Sequence, residues 1–376
     1  MFPIRGKIDS TNAQAFEQEL MAAKPTQLDA AELEYISSAG LRALLRLAKA
    51  VGEVTVENVN SDVYEIFDVT GFTSILKIKK ALREIDLTSK EIIGRGGNGT
   101  VYRLDQERIV KVYRKEHSLE YIEREQQYAK AAFVSGIPSV IAFDVVKAGD
   151  SYGVIFEAMN SDTLSHAITA EPEQRDAYIK KYVELAKTLH TTPIKGDTIA
   201  TLKSLLYARL EDDFMKTALK PGELDTLRGI VDAMGDPDTL VHGDFHPGNV
   251  MLQDGELMLI DMGEVTRGVP IYDLASVYRD LFSAPKSNPD ICRTSMGLEP
   301  ELALEIGQKF FATYTGLADP QALEGYLKGI GLVYAFNVVM LLPNMSQRDY
   351  RAPLIIENLL RPVVLPNAEA LKQLLK

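Results

Sequence analysis

The chain has 376 residues, 46% of them hydrophobic and 25% charged, which suits two or three separately folded domains better than one core. Its net charge of −12 argues against a broad nucleic-acid surface, because phosphate backbones attract clustered Lys and Arg. The single cysteine, Cys292, excludes an intramolecular disulfide and a cysteine-rich zinc site.

In chain order, the first stretch, Met1 to Lys7, lacks a basic segment followed by a long apolar run, so no signal peptide is expected. Ile4 to Ile8 and Gln27 to Leu33 suit strands. Between them Phe16, Leu20 and Ala23 fall at helical spacing, with Ser10, Thr11 and Asn12 available as the cap. Leu41, Leu44, Leu45 and Ala48 form an i, i+3, i+4, i+7 stripe, the strongest helix signal in this region. Glu53 to Val59 alternates like a strand, a short helix over Val63 to Val69 ends near Gly71, and Ile75 to Ile78 returns as a strand. The charged stretch Lys79 to Lys90 reads as a linker. The pattern predicts a small α/β domain over residues 1–82.

From Ile92 to Glu157 strands predominate, with one helix near Leu119 to Phe133. From Leu164 onward the spacing is helical, except for a loop–strand–loop segment from Val241 to Gly268. This layout predicts a β-rich lobe over residues 83–160 and a helical lobe over 161–376. The apolar run Gly329 to Leu342 contains Asn337 and stops at Pro343. It is too short to span a bilayer and reads as a buried helix, so a cytoplasmic protein without a membrane span is expected.

Gly94-Arg95-Gly96-Gly97-Asn98-Gly99-Thr100-Val101 fits G-x-G-x-x-G-x-V. A dinucleotide fingerprint would open into a helix, but the residues after it, Val101 to Leu104 and Ile109 to Val112, alternate like a hairpin. A glycine loop between strands can lay backbone N–H groups over nucleotide phosphates, which makes Gly94, Gly96, Gly99 and Val101 candidate nucleotide-binding residues. Ordinary hairpin glycines are the alternative. Lys111, between Val110 and Val112, would face away from the lobe interior toward phosphate, held by an acid from the following helix. Glu125 is favoured for that role over Glu123.

Val241-His242-Gly243-Asp244-Phe245-His246-Pro247-Gly248-Asn249-Val250 precedes Leu259-Ile260-Asp261-Met262-Gly263, and between them lies a hairpin signal at Asp254-Gly255. The hairpin would hold Asp244 and Asn249 near Asp261. Asp244 can then accept or orient the proton of an attacking hydroxyl, while Asn249 and Asp261 supply hard oxygens suited to magnesium. His242 and His190 read as structural. His246 lies near the presumed base, where it has a further possible contact with the acceptor. Tyr278, Arg279, Asp280, Tyr334 and Asn337 belong to the helices expected to build the acceptor pocket, with no direction assigned to their side chains.

From about Ser89 to its end the chain resembles the aminoglycoside phosphotransferase and choline kinase superfamily, through H-G-D-x-x-x-x-N, I-D-x-G and Tyr272-Asp273-Leu274-Ala275. The resemblance implies a two-lobed protein-kinase-like α+β fold using ATP and magnesium. It also implies that Asp273 braces the loop around Asp244, and that Phe156 to Met159, with Glu157 and Met159 as binding positions, line the adenine pocket. Gly243 stands where many protein kinases have an arginine that reads a phosphate. Only a short stretch separates Asp261 from Asp273, so a small-molecule hydroxyl acceptor is expected rather than a protein.

Residues 1–80 resemble a STAS domain, as in anti-sigma-factor antagonists, through Gly6-Lys7-Ile8-Asp9, Leu33 to Arg42 and Val69-Thr70-Gly71-Phe72. That family implies a phosphorylation switch at Ser38 and a protein partner, although Ser37 stands where the family often has an acidic residue. Ser37 and Ser38 are otherwise read as helix caps. Three functions are therefore weighed: a small-molecule kinase regulated by the STAS-like domain, a protein serine kinase acting on Ser38 or a STAS partner, and a nucleotide-sensing scaffold without turnover.

Overall fold

The computed structural model describes residues 1–159, 161–345 and 347–376. The chain divides into two compact units, Met1–Asp86 and Leu87–Lys376.

The first unit alternates strand and helix: β1 (Phe2–Ile8), α1 (Ala13–Ala23), β2 (Gln27–Ile36), α2 (Ser38–Val51), β3 (Thr55–Val59), α3 (Ser61–Val69) and β4 (Lys77–Lys80). The strands pair in parallel in the order β1-β2-β3-β4, so each helix is a crossover to the adjacent strand. Residues Ile4, Leu28, Ala30 and Val56 from the strands join Leu20, Leu44, Leu47 and Phe67 from the helices in an apolar core. The last strand lies two residues beyond the expected Ile75 to Ile78. Gly71, in left-handed conformation, starts a further turn at Phe72–Ser74, and the Leu76 amide bonds back to Phe72. The charged stretch beginning at Lys79 therefore starts inside the sheet. At α2 the cap is Ser37 alone: its hydroxyl accepts from the Gly40 amide at 3.4 Å, while Ser38 is the first helical residue and is exposed.

In the second unit an antiparallel run of strands, Ile92–Arg95, Gly99–Arg103, Arg108–Tyr113, Ser151–Glu157 and Ala142–Ala148, pairs in that spatial order. Helix α4 (Leu119–Val134) is capped by Ser118 and turns Ile122, Glu125, Tyr128, Ala129 and Ala132 inward. Beyond Leu164 helices dominate, interrupted where Val250–Gln253 pairs with Glu256–Leu259. The connecting Asp254 and Gly255 both take positive φ, 52° and 81°, as a tight hairpin turn between right-twisted strands requires. The run Gly329 to Leu342 falls mostly in the helix Pro320–Met340, with Ile330, Val333, Phe336, Val339 and Met340 buried. No described helix is long and apolar enough to cross a membrane. The second unit is thus a two-lobed kinase-like fold, strand-rich then helical, preceded by a small α/β domain.

Candidate active site

Lys111 lies mid-strand, opposite Val101 on one side and Val154 on the other. Strand alternation buries Val110 and puts Lys111 on the face it shares with Ile109 and Tyr113. From there its Nζ reaches Glu125 Oε1 at 2.9 Å and Asp261 Oδ1 at 3.0 Å. Of the two candidate acids on α4, Glu125 is fully buried and Glu123 half-buried. Burial alone would lower the Lys111 ammonium, but Glu125 and Asp261 outweigh it and hold Lys111 charged well above the ordinary lysine range. Burial pushes the Glu125 carboxyl up, and Lys111 opposes that rise. Asp261 adopts a left-handed backbone, φ 61° and ψ 66°, which Asp tolerates better than most residues. An uncommon conformation at this point marks a place where the side chain's direction matters more than backbone comfort.

The loop 242–249 is fixed from below by Asp273. This carboxylate is fully buried and accepts the amides of His242 at 2.7 Å and Gly243 at 2.8 Å. His190 Nε2 reaches it at 3.2 Å, and His190 Nδ1 meets the Tyr314 hydroxyl at 2.9 Å. His242 Nδ1 accepts from the Asp244 amide, which leaves Nε2–H to donate to the Ile260 carbonyl at 3.1 Å. Tyr182 stacks on Phe245 and donates to its carbonyl. An added Cβ at Gly243 would meet the Glu264 carbonyl at 2.7 Å, so the chain approaches itself too closely there for an arginine.

Asn249 donates through Nδ2 to the Asp244 carbonyl and to Asp244 Oδ2, both at 3.0 Å, which leaves its own carboxamide oxygen free. The Ile260 amide bonds to the Asn249 carbonyl at 3.0 Å and so keeps Asn249 beside the segment carrying Asp261. Asp244 is ion-paired with Arg279, which also grips Asp280 through Nε at 2.8 Å and Nη2 at 2.7 Å. Burial would raise the Asp244 carboxyl, but the His246 ring and the Arg279 guanidinium outweigh it and hold the group well below the usual carboxylate range. His246 accepts from the Gly248 amide through Nδ1 and faces Asp244 Oδ2 with Nε2 at 3.6 Å.

The glycine segment is the expected hairpin: the Gly96 amide donates to the Gly99 carbonyl, and Gly94 pairs with Val101. Glu157 ends its strand with its carboxylate turned to the Ile141 amide at 3.4 Å, and Met159 packs half-buried on the core. Lys111, Glu125 and Asp261 therefore form one cluster, and Asp244 and Asn249 a second. The direction of Arg279 is not readable from the sequence, because its contact with Asp244 depends on where a helix end lies in space. Arg209 stands in no motif.

A glycine hairpin above a lysine–glutamate pair, followed by an aspartate–asparagine loop and a second aspartate, defines a kinase-type phosphotransferase site. The model of the phosphotransferase enzyme family matches residues 91–318, and the chain belongs to that family. The STAS domain model matches residues 1–85. Over 84 residues the chain is 37% identical to BtrV of Bordetella bronchiseptica, named as an anti-sigma factor antagonist; the match covers 20% of this chain and 72% of that protein. The fold is similar to that of aminoglycoside phosphotransferase APH(2'')-Ib with bound ADP, at 18% identity and TM-score 0.47, covering 76% of this chain and 94% of that one. It is also similar to a choline/ethanolamine kinase family protein from Mesorhizobium loti, at 15% identity and TM-score 0.44, covering 76% of this chain and 92% of that one.

Proposed function

We propose that this phosphotransferase moves the γ-phosphoryl group of ATP to a hydroxyl of a small molecule, with residues 1–82 as a regulatory domain and residues 83–160 and 161–376 as the two lobes of the kinase. The observation that carries this reading is the double ion pair of Lys111, with Glu125 on one side and Asp261 on the other. A lysine held charged and in place by a buried glutamate is positioned to neutralise phosphate oxygens. Gly94, Gly96, Gly99 and Val101 then cover the phosphates, and the segment around Glu157 and Met159 borders the adenine.

The donor set fits magnesium. Asn249 keeps a free amide oxygen, Asp261 offers a carboxylate, and no group of three or more His, Cys, Asp or Glu side chains among the described residues would hold a metal alone. Magnesium commonly takes one or two protein oxygens and completes its shell with phosphates and water. When bound, it supplies charge neutralisation at the transferring group.

Asp244 receives the acceptor hydroxyl. With its carboxyl held so far below the usual range, Asp244 orients the hydroxyl by hydrogen bonding and takes the proton only as the new O–P bond forms. The γ-phosphorus bond to the β–γ bridging oxygen breaks, ADP leaves, and the hydroxyl proton passes to Asp244 and then to water. The test is magnesium-dependent ATP turnover by the full chain against a pooled acceptor library, beside Asp244→Asn and Lys111→Met. Acceptor-dependent turnover lost in both variants supports the reading; turnover unchanged in Asp244→Asn would overturn it.

A second reading rests on the exposure of Ser38 at the first turn of α2. A phosphate there would meet free amides at a helix N-terminus. Label from ATP appearing on Ser38, or on a separate STAS protein, with no small acceptor consumed, would make this chain a protein serine kinase.

A further inference from the structure

Beside the loop carrying Asp244 lies a cavity of about 80 Å³, bounded by Gly243 and Arg279 and by the helices Leu202–Leu210, Ile271–Tyr278 and Pro320–Met340. One water needs roughly 10–15 Å³ on this scale, so the space admits a molecule of several heavy atoms. Gly243 precedes Asp244 in the chain and Arg279 is ion-paired with it, so two residues of the cavity wall adjoin the presumed base.

The wall carries two guanidiniums in different electrostatic states. Arg279 is compensated by Asp244 and Asp280. Arg209 is not. It is 8% exposed, its Nε is buried without a hydrogen-bond partner, and no ion pair joins it to a carboxylate among the described residues. Its neighbour in the wall is Tyr272, a neutral hydrogen-bond partner whose buried phenol is raised by burial and partly drawn back by the Arg209 charge and by that hydrogen bond. Glu264, the acidic residue of the wall, is exposed to solvent. A guanidinium cannot shed its charge, and an unpaired buried charge is strongly unfavourable. Asn337, also in the wall, has a buried carboxamide oxygen with no hydrogen-bond partner. The cavity thus offers an anion acceptor's counter-charge at Arg209 and waits for a hydroxyl donor at Asn337.

We infer that this cavity is the acceptor subsite and that the acceptor is a small hydroxylated acid, its anionic oxygens on Arg209 and a hydroxyl near Asn337, with another hydroxyl presented to Asp244. The inference rests on the kinase reading and specifies its substrate class. The reaction is then ATP plus hydroxy acid giving ADP, the phosphorylated acid and a proton. A cationic acceptor of the aminoglycoside kind, which the negative net charge of the chain would otherwise suit, is disfavoured by a buried uncompensated arginine in the pocket.

Calorimetric titration of the full chain, saturated with magnesium and ADP, with glycerate, threonate, malate and tartrate provides the test, with glycerol and threitol as uncharged counterparts at matched ionic strength. At least one acid should bind while the polyols do not. Arg209→Gln should weaken that acid tenfold or more, Arg209→Lys should retain part of the affinity, and Asn337→Asp should weaken it through charge repulsion without removing any packing. If no acid binds more tightly than the polyols, or Arg209→Gln and Asn337→Asp both keep the wild-type affinity, the inference is wrong. ATP turnover is read separately. Turnover with neutral or cationic alcohols and no acid binding removes this inference and keeps the kinase; acid binding that depends on Arg209 without turnover of any acceptor keeps the subsite and removes the kinase.

Discussion

Asp273 is the residue through which the loop bearing Asp244 is tied to the helical lobe, and replacing it by asparagine isolates the electrostatics from the volume. The native carboxylate accepts two backbone amides, at 2.7 and 2.8 Å, and the His190 ring at 3.2 Å, with no exposed surface. Asparagine keeps one oxygen and turns an NH2 toward at least one of these donors. One amide then loses a bond to a charged acceptor, worth about 1.5–3 kcal/mol, and is left buried without a partner, which costs roughly another 1–3 kcal/mol. The sum for Asp273→Asn is about 2.5–6 kcal/mol, a span that brackets the roughly 3–5 kcal/mol found when one partner of a buried charged pair is removed. His190→Phe, which removes the longest of the three contacts to Asp273 together with the bond to the Tyr314 hydroxyl, should lose about 1–3 kcal/mol. Urea unfolding of the full chain, followed by far-ultraviolet circular dichroism, resolves the effect, because the transition of residues 87–376 carries most of the helix. Hydrogen exchange at His242 and Gly243 should quicken in parallel. A loss under about 1 kcal/mol in Asp273→Asn, with those amides still protected, would refute the argument that the carboxylate charge holds the loop.

The glycine hairpin gives a steric prediction. A Cβ at Gly99 would sit 2.1 Å from the Val112 carbonyl oxygen, whereas one at Gly97 would meet nothing within 4 Å. Gly99→Ala should therefore lose about 1–3 kcal/mol in thermal or urea unfolding and weaken nucleotide binding by displacing the Lys111 strand, while Gly97→Ala stays near neutral. In the first unit, Ser37→Ala removes the cap of α2 and should lose about 0.5–1 kcal/mol, with Ser38→Ala close to zero; the reverse order would contradict the assignment of the cap. Glu223 accepts from Arg361 and from the Lys220 amide, and the Arg361 hydrogen bond is the main cause that holds its carboxyl below the ordinary 4.5. A depressed folded value means that its contribution is present above the unfolded value and is lost as pH falls through the folded one. Stability measured from pH 6 downward should thus fall more steeply in the wild type than in Glu223→Gln, and equal slopes would count against the pair.

Much of the fold was legible because its signals are local. The period of Leu41, Leu44, Leu45 and Ala48 follows from one helix packing one face, and three of these four are among the residues of the apolar core or packed on it. The Asp254-Gly255 pair specifies a turn whose positive φ values few other residues accept, so the hairpin and the spacing it imposes on Asn249 and Asp261 could be read without a structure. Lys111 was legible for the same reason: strand alternation fixes its face, and an acid one helix away must then complete it. The choice of Glu125 over Glu123 needed only the helical phase, since a residue packed against Ile122 and Ala129 points inward. By contrast, β4 was misplaced by two residues because Gly71 inserts a turn that no apolar period reveals.

The pocket beside Asp244 was not legible, and the reason is physical. Its wall comes from three helices, Leu202–Leu210, Ile271–Tyr278 and Pro320–Met340, that are far apart in the chain, and each contributes a side chain whose direction depends on helix packing rather than on period. Composition is no guide here: the net charge of −12 belongs to the whole molecule and says nothing about one buried guanidinium. Within the pocket the local balance decides. Arg279 has two carboxylates and fixes the aspartate it touches in its ionised form, while Arg209 has none among the described residues and leaves an unmet requirement for negative charge. The first arginine therefore tunes the presumed base, and the second selects what approaches it. A site built this way discriminates by charge before it discriminates by shape, because a cation brought near Arg209 would have to lose its hydration without gaining a partner.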